Sequence, residues 1–168
     1  MAELIILRLI HILGGMLWVG AGIFSTLFLA PAMKAAGPAA AGAVMGNLQK
    51  RGMFTFMPIV ATLTLLSGLR LMWIVSAGSS GWFSSGPGHA YAISGALAII
   101  AFLTGLFVGR PAMVKAGKLA QSAASDGASK ERLAAEIAKL QHRGALATGV
   151  ATIMLVISAA GMAIARYL

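Results

Sequence analysis

Arg8, His11, Gly15, Trp18 and Gly22 follow one another at steps of three and four residues, the spacing that gathers side chains on one face of a helix. The run that carries them, Ile5 to Ala30, is otherwise apolar. An imidazole in such a run has few uses. Ionisable groups within a membrane helix are rare and point to function by default, and imidazole binds haem iron and copper. The plainer use is a neutral ring hydrogen-bonded to a neighbouring helix.

Two metal chemistries fit the residues differently. Haem takes one or two axial imidazoles, a glycine-lined gap for the macrocycle and arginines near the water boundary for its propionates, where charge-assisted pairing is strong. His11 and His89 are the candidate axial ligands, Gly15 and Trp18 line the same face, and Arg8 and Arg70 are the candidate propionate partners. Copper would take histidine with methionine thioethers. Of the 10 methionines, Met33, Met45, Met53, Met57 and Met113 fall towards the opposite side from His11, and Met16 lies off its face, so copper ranks second. Most of these thioethers read as adaptable packing.

The elements that position these groups follow from composition. The chain has 168 residues, 59% of them hydrophobic and only 10% charged, against about 25% charged in soluble domains. Four apolar runs, about 5–30, 54–77, 90–109 and 145–165, each supply the roughly 20 residues that a hydrocarbon core of about 30 Å asks of a helix. Lipid cannot satisfy exposed backbone groups, and the unbroken runs lack the alternation of barrel strands. The expected fold is all-α, a four-transmembrane-helix bundle in one integral membrane domain, residues 1–168.

The formal charge is +9. Lys34, Lys50, Arg51, Arg110, Lys115, Lys118, Lys130, Arg132, Lys139 and Arg143 all lie in the connections after spans one and three. The positive-inside rule places those connections in the cytoplasm and both termini outside. No recognition module or interleaved aromatic patch accompanies the charge, so nucleic acid is excluded as a partner. Cysteine is absent, which removes thiol catalysis and thiolate metal sites. The N-terminal run is too long for a signal-peptide core and is expected to remain attached.

The halves share words. "PAMKAAG" (31–37) and "PAMVKAG" (111–117) end spans one and three, while "LQKRG" (48–52) and "LQHRG" (140–144) open spans two and four. Each unit holds two spans, so the expectation is two parallel two-helix repeats related by an axis along the membrane normal, with spans one and three facing across it. Aligning the words sets His11 opposite Tyr91 and His89 opposite Leu9. His89 is then about 3 Å from the matching depth but turned by about 200°, which makes Tyr91 an alternative partner for His11.

The second unit has about twelve extra residues before its second word, and Leu133, Ile137 and Leu140 recur there at helical spacing. An amphipathic helix over about 129–143, capped by Ser129, is expected to run into span four. His142 reads as an interfacial cation or capping group, and Pro58 is expected to kink span two. The Gly- and Ser-rich stretch 76–90 forms the outer connection, with Trp82 and Phe83 at the interface.

Glu3, Asp126, Glu131 and Glu136 all belong to ends or connections. Without a carboxylate inside the spans, neither a hydrolase nor a carboxylate-driven transporter is indicated.

The run "LRLIHILGGMLWVGAGIF" resembles the first helix of small bacterial membrane proteins related to the copper resistance protein D family. With "KRGMFTFMPIVATLTLLSG" in span two, the layout also looks like the four-helix, haem-carrying membrane protoporphyrinogen oxidases. These resemblances imply a bundle whose first-helix histidine, His11, serves a metal or haem. The resulting expectation is a haem b protein of the bacterial inner membrane, transferring single electrons near the outer face with quinone or a redox protein. An oxidoreductase activity fits that expectation. Copper transport or resistance is the alternative, as is a cofactor-free accessory subunit of a larger complex or homo-oligomer.

Overall fold

The computed structural model describes residues 1–123 and 130–168, and the described residues are helical with short turns. The first helix, α1 (Ala2–Phe24), passes through a wide π-helical turn, Ser25–Leu29, into α2 (Ala30–Lys50). Helix α3 (Met53–Ser76) returns. A short 3₁₀ turn, Ser80–Ser84, leads to α4 (Gly86–Thr104). A second π-helical turn, Gly105–Gly109, joins α4 to α5 (Arg110–Ala123). The last helix, α6 (Lys130–Ile164), ends in a 3₁₀ turn, Ala165–Tyr167.

Four helical stretches are long and apolar enough to cross a membrane: Ala2–Pro38, Met53–Ser76, Gly86–Ala120 and Leu133–Tyr167. Three of them are 35 or 37 residues long, roughly 50 Å at 1.5 Å per residue, and therefore outrun the bilayer core. The first and third continue past the expected ends at Ala30 and Gly109. Prolines would normally stop them there. Pro31 and Pro111 lack an N–H, and a proline ring crowds the carbonyl four residues earlier. In both places a π-helical turn comes just before the proline, with Ala30 N–H donating to Ser25 O and Arg110 N–H to Gly105 O. The widened turn absorbs the misfit, so the helix bends around the proline instead of ending.

At Gly37 the first long helix does end. Its φ of 86° and ψ of 169° are accessible chiefly to glycine, and Pro38 then starts a new helical direction. The chain turns again at Gly52 (φ 79°), whose N–H donates to Gln49 O at 2.9 Å. Pro58 sits inside α3, where its carbonyl accepts from Thr62 Oγ1 at 2.8 Å. At the far end α4 is capped by Ser85, whose Oγ accepts from Gly88 N–H at 3.2 Å.

The principal packing is α1 on α3 and α4 on α6, with α1 also meeting α6 and α3 meeting α4. Spans one and three thus lie on a diagonal, bridged by an edge-to-face contact of Trp18 with Phe102 at 6.1 Å. The core is built of three alanines and a leucine, Ala98, Ala101, Ala151 and Leu155, with Trp18, Val19, Leu65 and Met154 packed against it. Buried Thr64, Ser67, Ser94, Thr152 and Ser158 complete it. Small and hydroxyl residues are what membrane helices use to approach closely, since lipid offers no hydrophobic drive for association.

The expected amphipathic helix is the start of α6, which runs unbroken into span four; its expected cap, Ser129, lies outside the described residues. Alongside it α5 packs antiparallel, tied by the Lys115–Glu136 ion pair at 2.8 Å.

Candidate functional site

His11 is held in the seam between α1 and α3. Two glycines make that seam narrow. Gly14 of α1 faces the Thr64 side chain so closely that a methyl group there would collide with Oγ1. Gly68 of α3 receives the imidazole, and a Cβ at Gly68 would stand 2.6 Å from Cε1 and 2.9 Å from Nδ1. Each helix therefore supplies the space that the other helix fills.

The imidazole makes one hydrogen bond, from Nδ1 to the Thr64 carbonyl oxygen at 2.8 Å. A carbonyl can only accept, so Nδ1 carries the proton and, in the neutral ring, Nε2 keeps its lone pair. The surroundings hold that carbonyl in place. Thr64 Oγ1 donates to Val60 O at 2.8 Å, and Ser67 Oγ donates to Thr64 O at 3.0 Å and to Leu63 O at 2.7 Å. Thr64 and Ser67 are buried, while His11 is half-buried. Among the described residues Nε2 has no hydrogen-bond partner.

The other members of the α1 face meet different neighbours. Gly15 lies loosely against Thr64, Trp18 enters the core beside Phe102, and Gly22 faces Thr152 on α6. From His11 onward the face is the one α1 turns towards the bundle, shared among three helices. Arg70 pairs with Glu3, Nε to Oε1 at 2.9 Å and a terminal nitrogen at 2.8 Å, with both side chains about half exposed. Arg8 is exposed and has no partner among the described residues.

His89 is exposed in the first turn of α4, its backbone N–H given to Ser85 O at 2.9 Å. Tyr91 stacks on Trp82 at 6.2 Å and 13°, and Trp82 meets Phe83 edge-to-face at 5.1 Å. Neither His89 nor Tyr91 shares a hydrogen bond or ring contact with His11. The structure brings together His11, Gly14, Thr64, Ser67 and Gly68, of which the sequence reading named only the first. The missing signal was present: Ser67 and Gly68 lie three and four residues after Thr64 and so share its face, the small and hydroxyl stripe of a close helix contact.

The described residues contain no group of three or more His, Cys, Asp or Glu side chains placed to hold a metal ion. Met113 is committed to packing, its sulfur lying against Gly144, and Met16 is exposed. Comparison with protein-family models, with curated proteins and with solved structures finds no match to the chain.

Proposed function

We propose that the chain is a membrane haem protein of b type, with His11 Nε2 as its axial ligand, serving one-electron transfer near the membrane face that carries Arg8 and the Trp82 turn. The observation that carries this reading is the hydrogen bond from His11 Nδ1 to the Thr64 carbonyl. Ligating histidines are commonly oriented in this way, because donation from one nitrogen fixes the ring and leaves the other basic. Unpartnered Arg8 fits a propionate, and Arg70 could join it by exchanging Glu3, since exposed ion pairs are worth only about 0–1 kcal/mol. The reading asks for one imidazole from this chain, as the His89 side chain is exposed at the start of α4 and Tyr91 is stacked on Trp82. Bound haem would supply a reversible Fe(III)/Fe(II) couple, and the protein's contribution is to fix the imidazole and to screen it within the α1–α3 seam.

Quinone or a redox protein would exchange the electron from the outer side of a bacterial inner membrane, with both termini outside. The same reading takes the two hairpins as parallel repeats. Wide turns at matching places before Pro31 and Pro111 support it.

The absorption spectrum of the mildly purified protein, expressed with ample haem, tests the proposal. The expected result is a Soret band with reducible α and β bands, and their loss in His11→Ala. Normal haem retention by that variant would overturn the ligand assignment. A second reading rests on the packing of the ring against Gly68: His11 as a tie between helices in a cofactor-free accessory subunit. A spectrum without haem bands and a modestly lower melting temperature for His11→Ala would select it.

A further inference from the structure

On the side of the molecule away from His11, α6 and the end of α4 enclose an open groove of about 410 Å³. Thr104 and Val108 form one wall. The other wall is a single face of α6, and it changes character along its length. Lys139, His142 and Arg143 come first, then Leu146, Ala147 and Val150, each three or four residues from a member of the turn before.

That order is the order of a phospholipid. Arg143 is the last charged residue before 22 uncharged ones, Gly144 to Ala165, which span about 33 Å, close to one hydrocarbon core. The cationic turn therefore stands at headgroup level and the apolar part of the groove at acyl level. The side chains of that turn are also free to act. Glu136, one turn earlier, is taken by Lys115 at 2.8 Å, and Lys139, His142 and Arg143 have no acidic partner among the described residues. Basic pockets between spans on the positively charged side are suited to acidic headgroups.

We infer that the α4–α6 groove is a binding site for an anionic phospholipid, its phosphate held by Lys139, His142 and Arg143 and one acyl chain lying along Val108, Leu146 and Val150. The site is independent of His11 and would tie the protein's second hairpin to the composition of its leaflet.

Native mass spectrometry of the full chain in mild detergent, titrated with phosphatidylglycerol or phosphatidylcholine, tests this. The unaltered protein should retain phosphatidylglycerol in preference to phosphatidylcholine. Lys139→Gln with Arg143→Gln should weaken that retention about twenty-five-fold, the product of about fivefold for each cation at a lipid surface. Lys34→Gln with Lys50→Gln, an equal charge change outside the groove, should leave it unchanged. Leu146→Trp fills the acyl part, keeps every charge and should also reduce retention. Equal retention of the two lipids, or equal losses in the two double variants, would overturn the proposal. So would displacement of the lipid by inorganic phosphate, which marks a free-anion site, or by a second copy of the chain.

Discussion

"LQKRG" at 48–52 and "LQHRG" at 140–144 differ in one residue, yet the first ends a helix and the second lies inside one. At Gly52 the backbone turns left-handed and nothing comes within 4 Å of where a Cβ would be. At Gly144 the helix continues, and the Met113 side chain presses into the space that glycine leaves. The local sequence permits both outcomes; packing chooses. Helix α5 lies along the start of α6 and covers it, so the straight helix is rewarded with contacts. The short segment 38–50, set off by the break at Gly37, lacks such a companion and turns directly into α3.

The contrast extends through the two hairpins. Helix α1 has no fully buried residue and α3 buries Val60, Ala61, Thr64, Ser67 and Ser76, whereas α4 and α6 contribute the alanine cluster at the core. Ser158 Oγ donates to Ser94 O at 2.7 Å in the second hairpin, and His11 donates to Thr64 O in the first. Both hairpins are knit by hydroxyls and small residues, and the first adds an imidazole to its seam. The alanine cluster is accordingly expected to weigh most on stability, and the first hairpin is where the imidazole is held.

The largest test of that division is overpacking. Gly161 lies against the Ser94 side chain, so Gly161→Leu should cost about 1–3 kcal/mol and lower the melting temperature in detergent by several degrees. Gly20 of α1 has open space around it, and Gly20→Leu should leave the melting temperature unchanged or slightly raised. Equal losses at both positions would erase the distinction between the hairpins.

Next come the paired words themselves. Gly52→Ala forces an alanine to φ 79° and should cost about 1 kcal/mol by chemical denaturation. Gly144→Ala should cost less than that, because the Met113 side chain, Cγ included, must shift but the backbone stays helical and a helical glycine is replaced by a better helix former. A loss at Gly144 as large as that at Gly52 would mean that Met113 is fixed.

Smaller again is Ser158→Ala, expected to cost about 0.6 kcal/mol, the usual worth of a hydrogen bond between membrane helices. Glu3→Gln should cost less still, since the Glu3–Arg70 pair is half exposed and such pairs contribute little. A double-mutant cycle between Glu3 and Arg70 that gave more than the serine bond would reverse this ranking of the hairpins.

Much of the architecture was legible from residues alone. The four spans follow from apolar run length, whereas the continuation of the first and third past Ala30 and Gly109 was not expected, since it depends on the wide turns before Pro31 and Pro111. The extra helix before span four was visible in Leu133, Ile137 and Leu140. The candidate site was legible only at His11. Arg70, His89 and Tyr91 matched it in depth, but depth does not fix rotation about the bundle axis, and each found a different neighbour: Glu3, solvent and Trp82.

What the sequence determined by itself is what lipid enforces locally: stretches of about 20 apolar residues must be helical, because each helix satisfies its own backbone whatever lies beside it. Prolines and glycines then mark where a helix must widen or turn. Tertiary structure decided the rest. Whether "LQ-x-RG" bends or runs straight depends on the presence of α5, and the partner of His11 depends on two glycines, 14 and 68, which lie on different helices and matter only once those helices meet.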